Sequence, residues 1–254
     1  TPASYISHNE SRRNYNALAD SYVDNGINTD VLLGGGWKFF IRPDRDLTKE
    51  YQAAGVQYID NYQALTTLKQ NKPVLGLFDN VGLPYALDDS EPLRLSKMTQ
   101  AAIKQLENKQ GFFMLIEASQ VDWAAHSNDI NSAMAEVKDL ASTMEFLENY
   151  VKQHPDTLVV LTADHSTGGF TLGANGVYEW RPALLRAMTQ STLTIAKYFS
   201  EQPVNVKSLT EQFAGIEINE EESARIVEAK QQVQEELTHY LSLSEQQQKQ
   251  QRRP

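Results

Sequence analysis

Residues Gly111–His126 read GFFMLIEASQVDWAAH, and residues Leu158–Phe170 read LVVLTADHSTGGF. Each opens with or soon enters an apolar run, Phe112–Ile116 in the first and Leu158–Leu161 in the second. Each run gives way to polar, charge-bearing residues. A short unbroken apolar run is what a strand buried on both faces presents, whereas a half-exposed strand alternates. Between the two, Asn131–His154 spaces Ala133, Met134, Val137, Leu140, Ala141, Met144, Leu147 and Val151 along one helical stripe. Asn131 or Ser132 is placed to cap its start. Strand, long amphipathic helix and strand predict a parallel βαβ unit. The expected fold class is therefore α/β, a three-layer sandwich with a mostly parallel central sheet.

Reading outward, the N-terminal part extends this pattern. Tyr15, Leu18, Ala19, Tyr22 and Val23 predict a helix across residues 10–23. Asp30–Leu33 is a short strand that stops at Gly34-Gly35-Gly36, a turn rather than a phosphate cradle, since no Lys-Ser/Thr follows. Residues 47–54 and 61–68 are expected as helices, 56–59 and 74–78 as strands, and 95–107 as a helix. After Gly173 the texture changes. Residues 181–188, 191–199 and 219–248 read as helices, the last capped by Asn219, with Glu220, Glu221 and Glu222 at the positive end of its dipole. Its apolar stripe is thin: Ile226, Val233, Leu237, Tyr240 and Leu241. The division expected is an α/β core over residues 1–175 and a largely helical appendage over 176–254.

The charged residues that follow the two decisive runs carry the chemistry. Glu117 comes directly after Phe112–Ile116, then Asp122, then His126 four residues further on. On a helix that spacing puts the last two on one face, and oxygen with nitrogen donors suits zinc. Asp164 and His165 follow Leu158–Leu161. In a parallel sheet the carboxyl ends of the strands line one rim, where ligands bind. Both clusters are expected to meet there as a polynuclear metal site. Each has a plainer reading: Glu117 as a helix cap, Asp-x-x-x-His as a solvated pair, Asp164-His165 as a polar strand end. Their coincidence at two strand ends favours the metal. His154, before a proline, reads as a helix-end partner, and His239 as a surface or packing residue.

Composition sets the outer limits. The chain has 254 residues, Lys plus Arg 23 against Asp plus Glu 33, a net charge of −10 and no cysteine. A duplex nucleic-acid binder needs a basic face, so that class is disfavoured. Phosphate chemistry is not, because bound metal ions can supply positive charge. Without cysteine there are no disulfides, thiolate metal sites or thiol nucleophiles. No apolar run reaches the ~18 residues of a membrane span.

Five stretches, taken in order, resemble the alkaline phosphatase family: TPASYISHNESRR from Thr1, DVLLGGGWKFF from Asp30, LPYALDD from Leu83, and the two segments quoted at the outset. The likeness covers residues 1 to about 173 and is closest to the marine bacterial members, with Trp123 where the enterobacterial type carries lysine. The resemblance implies metal-dependent hydrolysis of phosphate monoesters with two zinc ions and one magnesium ion. It implies that Asp122 and His126 bind the first zinc and Asp164 and His165 the second. Glu117 and Thr1 become magnesium-site residues. Arg12 becomes the guanidinium that grips the substrate phosphate, a bidentate role suited to arginine, and Trp123 a neighbour of that phosphate. Two zinc ions can stabilise both the attacking and the leaving oxygen.

The resemblance also implies a serine nucleophile, in an Asp-Ser-Ala motif ahead of Thr1, and a last zinc histidine, in a His-x-Gly-x-Asp motif beyond the appendage. Neither motif occurs in this chain; Asp20-Ser21, Asp89-Ser90 and His239 stand in the wrong context. The chain is therefore expected to be an internal fragment, inactive alone, with the appendage as an insertion. The implied parent is a periplasmic or secreted homodimer that takes phosphate monoesters and inorganic phosphate. Two alternatives stand beside this reading. One is another hydrolase of the superfamily, a phosphodiesterase or sulfatase, against which the Thr1–Arg12 block argues. The other is a non-catalytic metal-binding or interaction protein with the same fold.

Overall fold

A computed structural model of the chain describes residues 3–107, 110–170, 173 and 176–242. The chain divides into two compact units, Thr1–Thr171 and Leu172–Pro254. In the first unit the elements run α1 (Ala3–Ile6), α2 (Tyr15–Asp24), β1 (Val31–Gly34), α3 (Trp37–Phe40), α4 (Leu47–Ala53), β2 (Gln57–Ile59), a 3-10 helix (Tyr62–Thr67), β3 (Val74–Leu77), α5 (Arg94–Leu106), α6 (Ser119–His126) and α7 (Ile130–Gln153). The three strands form one parallel sheet of order β1-β3-β2. β3 is central, so all four of its residues are buried, while the edge strands are half-buried.

The alternation of β3 sorts the core into two layers. Leu75 and Leu77 face Ala19 of α2, Phe40 of α3 and Leu47 and Tyr51 of α4. Phe78, with Leu33 and Ile59, packs on the other side against Leu65 of the 3-10 helix and Met98 of α5. Helices on both faces of a parallel sheet make the unit an α/β fold. Sequence chemistry sets the ends of these elements. Asp46 caps α4 by accepting from the Thr48 amide, and Asn61 caps the 3-10 helix by accepting from Ala64. Gly36, at φ 137°, turns the chain after β1, and its amide and that of Trp37 donate to the Asp79 carbonyl after β3. The glycine triplet is thus a turn that ties two strand ends together.

Two expectations are corrected. Phe112–Ile116 and Leu158–Leu161 form no ladder among the described residues, and they are open rather than buried: Phe113 is 76% exposed and Leu158 85%. A strand covered on both faces needs a hydrogen-bonding neighbour along its edges, and the described residues place none beside either run. The buried face of α7 also differs from its apolar stripe. Glu136, Asp139 and Thr143 are buried beside Ala133 and Leu147, while Met134 and Val137 are exposed. Arg94 of α5 supplies the reason. Its side chain, 2% exposed, reaches Glu136 at 2.7 Å and Asp139 at 3.5 Å, and a charge buried this deeply needs such partners, so the carboxylates of α7 face it. Asp129 rather than Asn131 or Ser132 caps α7.

The second unit is helical: α8 (Pro182–Ala187), α9 (Thr192–Glu201), α10 (Val206–Gln212) and α11 (Glu220–Ser242). Ile195, Phe199 and Leu209 form its core, joined by Val204, Phe213 and Ile226. Ser191, Asn205 and Asn219 cap successive helices, and Asn219 exchanges reciprocal bonds with Glu222. Val233, Leu237 and Leu241 of α11 are exposed. The sequence expectation for residues 243–248 lies outside the described residues. No described helix is long and apolar enough to cross a membrane.

Candidate functional site

α6 carries the first pair of predicted ligands, and its packing aims them. Gln120 and Ala124, one turn apart, are its buried residues, and Ala124 is fully enclosed with Tyr85 and Ala133. Asp122 and His126, also one turn apart, therefore project from the opposite side of the helix. Their atoms Oδ1 and Nε2 are 3.5 Å apart. Trp123 lies against the loop after β3. A Cβ placed on Gly82 would meet its ring at 2.7 Å, so only glycine lets the backbone come this close. α6 thus rests at the carboxyl end of β3, the rim expected to bind ligands.

The second pair arrives from the segment after Leu158–Leu161. His165 Nε2 stands 3.9 Å from Asp122 Oδ1 and 3.7 Å from Asp164 Oδ2. Thr167 donates its hydroxyl to Asp122 Oδ1 at 2.9 Å. Asp122 is thus a hub between His126 on its own helix and His165 and Thr167 some forty residues later. His165 Nδ1 lies 3.0 Å from the Ser166 carbonyl. A proton on Nδ1 satisfies that carbonyl and leaves the Nε2 lone pair facing Asp122, which is how ligating imidazoles are oriented. The site is open, with side-chain exposures from 38% at Asp122 to 90% at Asp164.

Glu117 enters through electrostatics. Burial pushes its carboxyl upward, although part of its surface remains in solvent, and the negative charges of Asp164 and Asp122 push it further. Carboxylates that raise one another in this way repel until a cation joins them.

The donor set suits a divalent transition metal in type. Asp oxygens and His nitrogens are zinc ligands, and a tetrahedral zinc would hold its donors roughly 3.3 Å apart, close to the 3.5 Å between Asp122 and His126. The described residues do not, however, close three or more such side chains about a single point. The four predicted zinc ligands are brought together pairwise, with Asp122 shared between the two expected pairs. Arg12 is exposed in the turn before α2, and none of its described contacts reaches these residues. Thr1 lies outside the described residues. Thr167 was not singled out by sequence reasoning; its signal was a hydroxyl three residues after Asp164 in the same block.

A family model described as alkaline phosphatase matches residues 1–241. Alkaline phosphatase 4 of Bacillus subtilis is 45% identical over 229 residues, 87% of this chain and 49% of that protein. Alkaline phosphatase 3 of the same organism is 46% identical over 186 residues, 71% of this chain and 40% of that protein. The crystal structure of a cold-active alkaline phosphatase from a psychrophilic Shewanella species superposes with a TM-score of 0.80 at 40% identity, covering 91% of this chain and 57% of that one. The chain spans about half the length of the curated relatives it matches.

Proposed function

We propose a reaction for this site from a plain premise: the chain belongs to the alkaline phosphatase family. The full-length protein hydrolyses phosphate monoesters. The observation that carries this reading is the meeting of Asp122, His126 and His165, with Asp164 beside them, from two separate sequence blocks. Asp122, His126, Asp164 and His165 would hold two zinc ions, and Glu117 with Thr1 would serve one magnesium ion. Bound there, the ions supply Lewis acidity that stabilises charge on the attacking and leaving oxygens.

The chain's own residues orient and neutralise. Thr167 fixes the Asp122 carboxylate through its hydroxyl. The Ser166 carbonyl fixes the His165 ring. Arg12 grips two oxygens of the substrate phosphate, and Trp123, 45% exposed on the rim, borders that phosphate. A serine of the full-length protein attacks phosphorus, the ester oxygen leaves, and water then cleaves the phosphoserine. Residues 1–175 form part of that α/β core, and residues 176–254 form a largely helical insertion. The full-length protein is a periplasmic or secreted homodimer.

Rates of the full-length protein on a phosphate monoester, a phosphodiester and a sulfate ester test the reading. The monoester is expected to be hydrolysed fastest by a wide margin. Faster turnover of the diester or sulfate would assign the protein to another branch of the superfamily, and no turnover of any would favour a binding protein.

A further inference from the structure

Away from the ligands, one guanidinium is buried among three carboxylates. Arg94 Nη2 donates to Glu136 Oε1 at 2.7 Å and to the Pro84 carbonyl at 2.8 Å. Its Nη1 lies 3.5 Å from Asp139, and its Nε, which makes no hydrogen bond among the described residues, lies 3.6 Å from Asp89. Glu136 Oε1 also accepts from the Ala86 amide at 2.7 Å. Asp139 accepts from the amides of Leu95 and Ser96, so α7 caps the start of α5. Burial pushes the Glu136 and Asp139 carboxyls upward against the pull of Arg94. Such a cluster is a costly way to join two helices, since apolar packing usually serves as well.

Its placement gives it a use. Arg94 and Glu136 grip the backbone on either side of Tyr85, at Pro84 and Ala86. Tyr85 is buried against Ala124 of α6 and contacts Ser127 Oγ at 3.2 Å. Three residues earlier, Gly82 is pressed on Trp123. The loop 82–86 is therefore the bed of α6, and α6 carries Asp122 and His126.

We infer that Arg94 and Glu136 are positioning residues that fix, through the loop 82–86, the angle at which α6 presents Asp122 and His126 to the metal. The inference rests on the metal reading proposed above. Nothing in it requires Arg94 or Glu136 to touch substrate.

Two readouts on the full-length protein test it: amide hydrogen exchange of α6 in the chelated protein, and zinc affinity against a competing chelator. Glu136→Ala is expected to speed exchange across residues 119–126 at least about tenfold while leaving β3 protected. It should also weaken zinc binding by about tenfold or more. Glu136→Gln, which keeps an acceptor for the Ala86 amide, should recover most of both effects. If Glu136→Ala does not fold, Tyr85→Phe decides, with a smaller change in the same direction. Exchange in α6 at the wild-type rate, or exchange raised equally in β3 and α6, would overturn the inference. A wild-type protein that binds no zinc would instead refute the metal reading, and the exchange data would still report whether the loop positions α6.

Discussion

His165 Nε2 stands 3.9 Å from Asp122 Oδ1, although the two residues belong to segments that share no ladder hydrogen bond among the described residues. Thr167 donates its hydroxyl to the same Oδ1 at 2.9 Å. This cross-segment bond is neutral donor to charged acceptor, the stronger kind. Thr167→Val should leave the chain folded and weaken zinc binding by about tenfold, the typical loss when a ligand's hydrogen-bonded support is removed. Competition with a chromophoric chelator measures it. Unaltered affinity would mean that Asp122 is held by α6 alone.

Gly82 has no room for a side chain. An added Cβ would sit 2.7 Å from the Trp123 ring and 2.9 Å from Gln120 Nε2. Gly82→Ala should therefore cost about 1–3 kcal/mol, the range for overpacking, and change Trp123 fluorescence. Urea unfolding followed by fluorescence reads both at once. A stable variant with an unchanged spectrum would show that the loop and α6 are not pressed together.

Leu75 is fully buried in the central strand, facing α2 and α4. Leu75→Ala should destabilise the chain by about 2–5 kcal/mol, since both transfer and cavity contributions act there. Calorimetry gives the figure. Less than about 1 kcal/mol would mean the layer above β3 can collapse to fill the space.

Tyr51 sets an alkaline limit. It is 2% exposed, and burial, with Tyr22 adding to it, pushes its hydroxyl up to about 12. An unfolded tyrosine ionises near 10. The folded state holds the proton more tightly, so above that value the unfolded state has the fewer protons and stability falls as pH rises. The contribution of Tyr51 should be intact below about pH 10 and lost between about 10 and about 12. Urea midpoints across that range measure the slope, and Tyr51→Phe should reduce it. A slope identical in the variant would remove Tyr51 from the account.

Much of the fold could be read from local pattern. Asp30–Leu33 and Val74–Phe78 gave β1 and β3 because short apolar runs between turn residues have few other uses, and Asn219 with Glu222 marked the start of α11. The α7 face could not be read this way. Its buried side is chosen by Arg94, more than forty residues upstream of Glu136, and nothing local to α7 announces that partner. The runs at Phe112–Ile116 and Leu158–Leu161 looked like buried strands, but burial of a strand depends on neighbours that its own residues do not specify. At the site the sequence named residue types suited to a metal, not how they stand to one another. Asp122, His126, Asp164 and His165 are all chemically conspicuous, whereas Thr167, an ordinary hydroxyl, showed its role only through contact with Asp122.

The most direct test is phosphate monoester hydrolysis by the full-length protein, wild type and Asp122→Ala, before chelation, after it, and after zinc is restored. The account predicts that chelation costs the wild type about 100-fold or more in rate and that zinc restores it, since a metal contributes several kcal/mol to such a reaction. Asp122→Ala should be slow throughout and gain nothing from zinc at the same concentration. Wild-type rates in Asp122→Ala, or a wild type indifferent to chelation, would contradict the assignment of Asp122 as the hub of a metal centre.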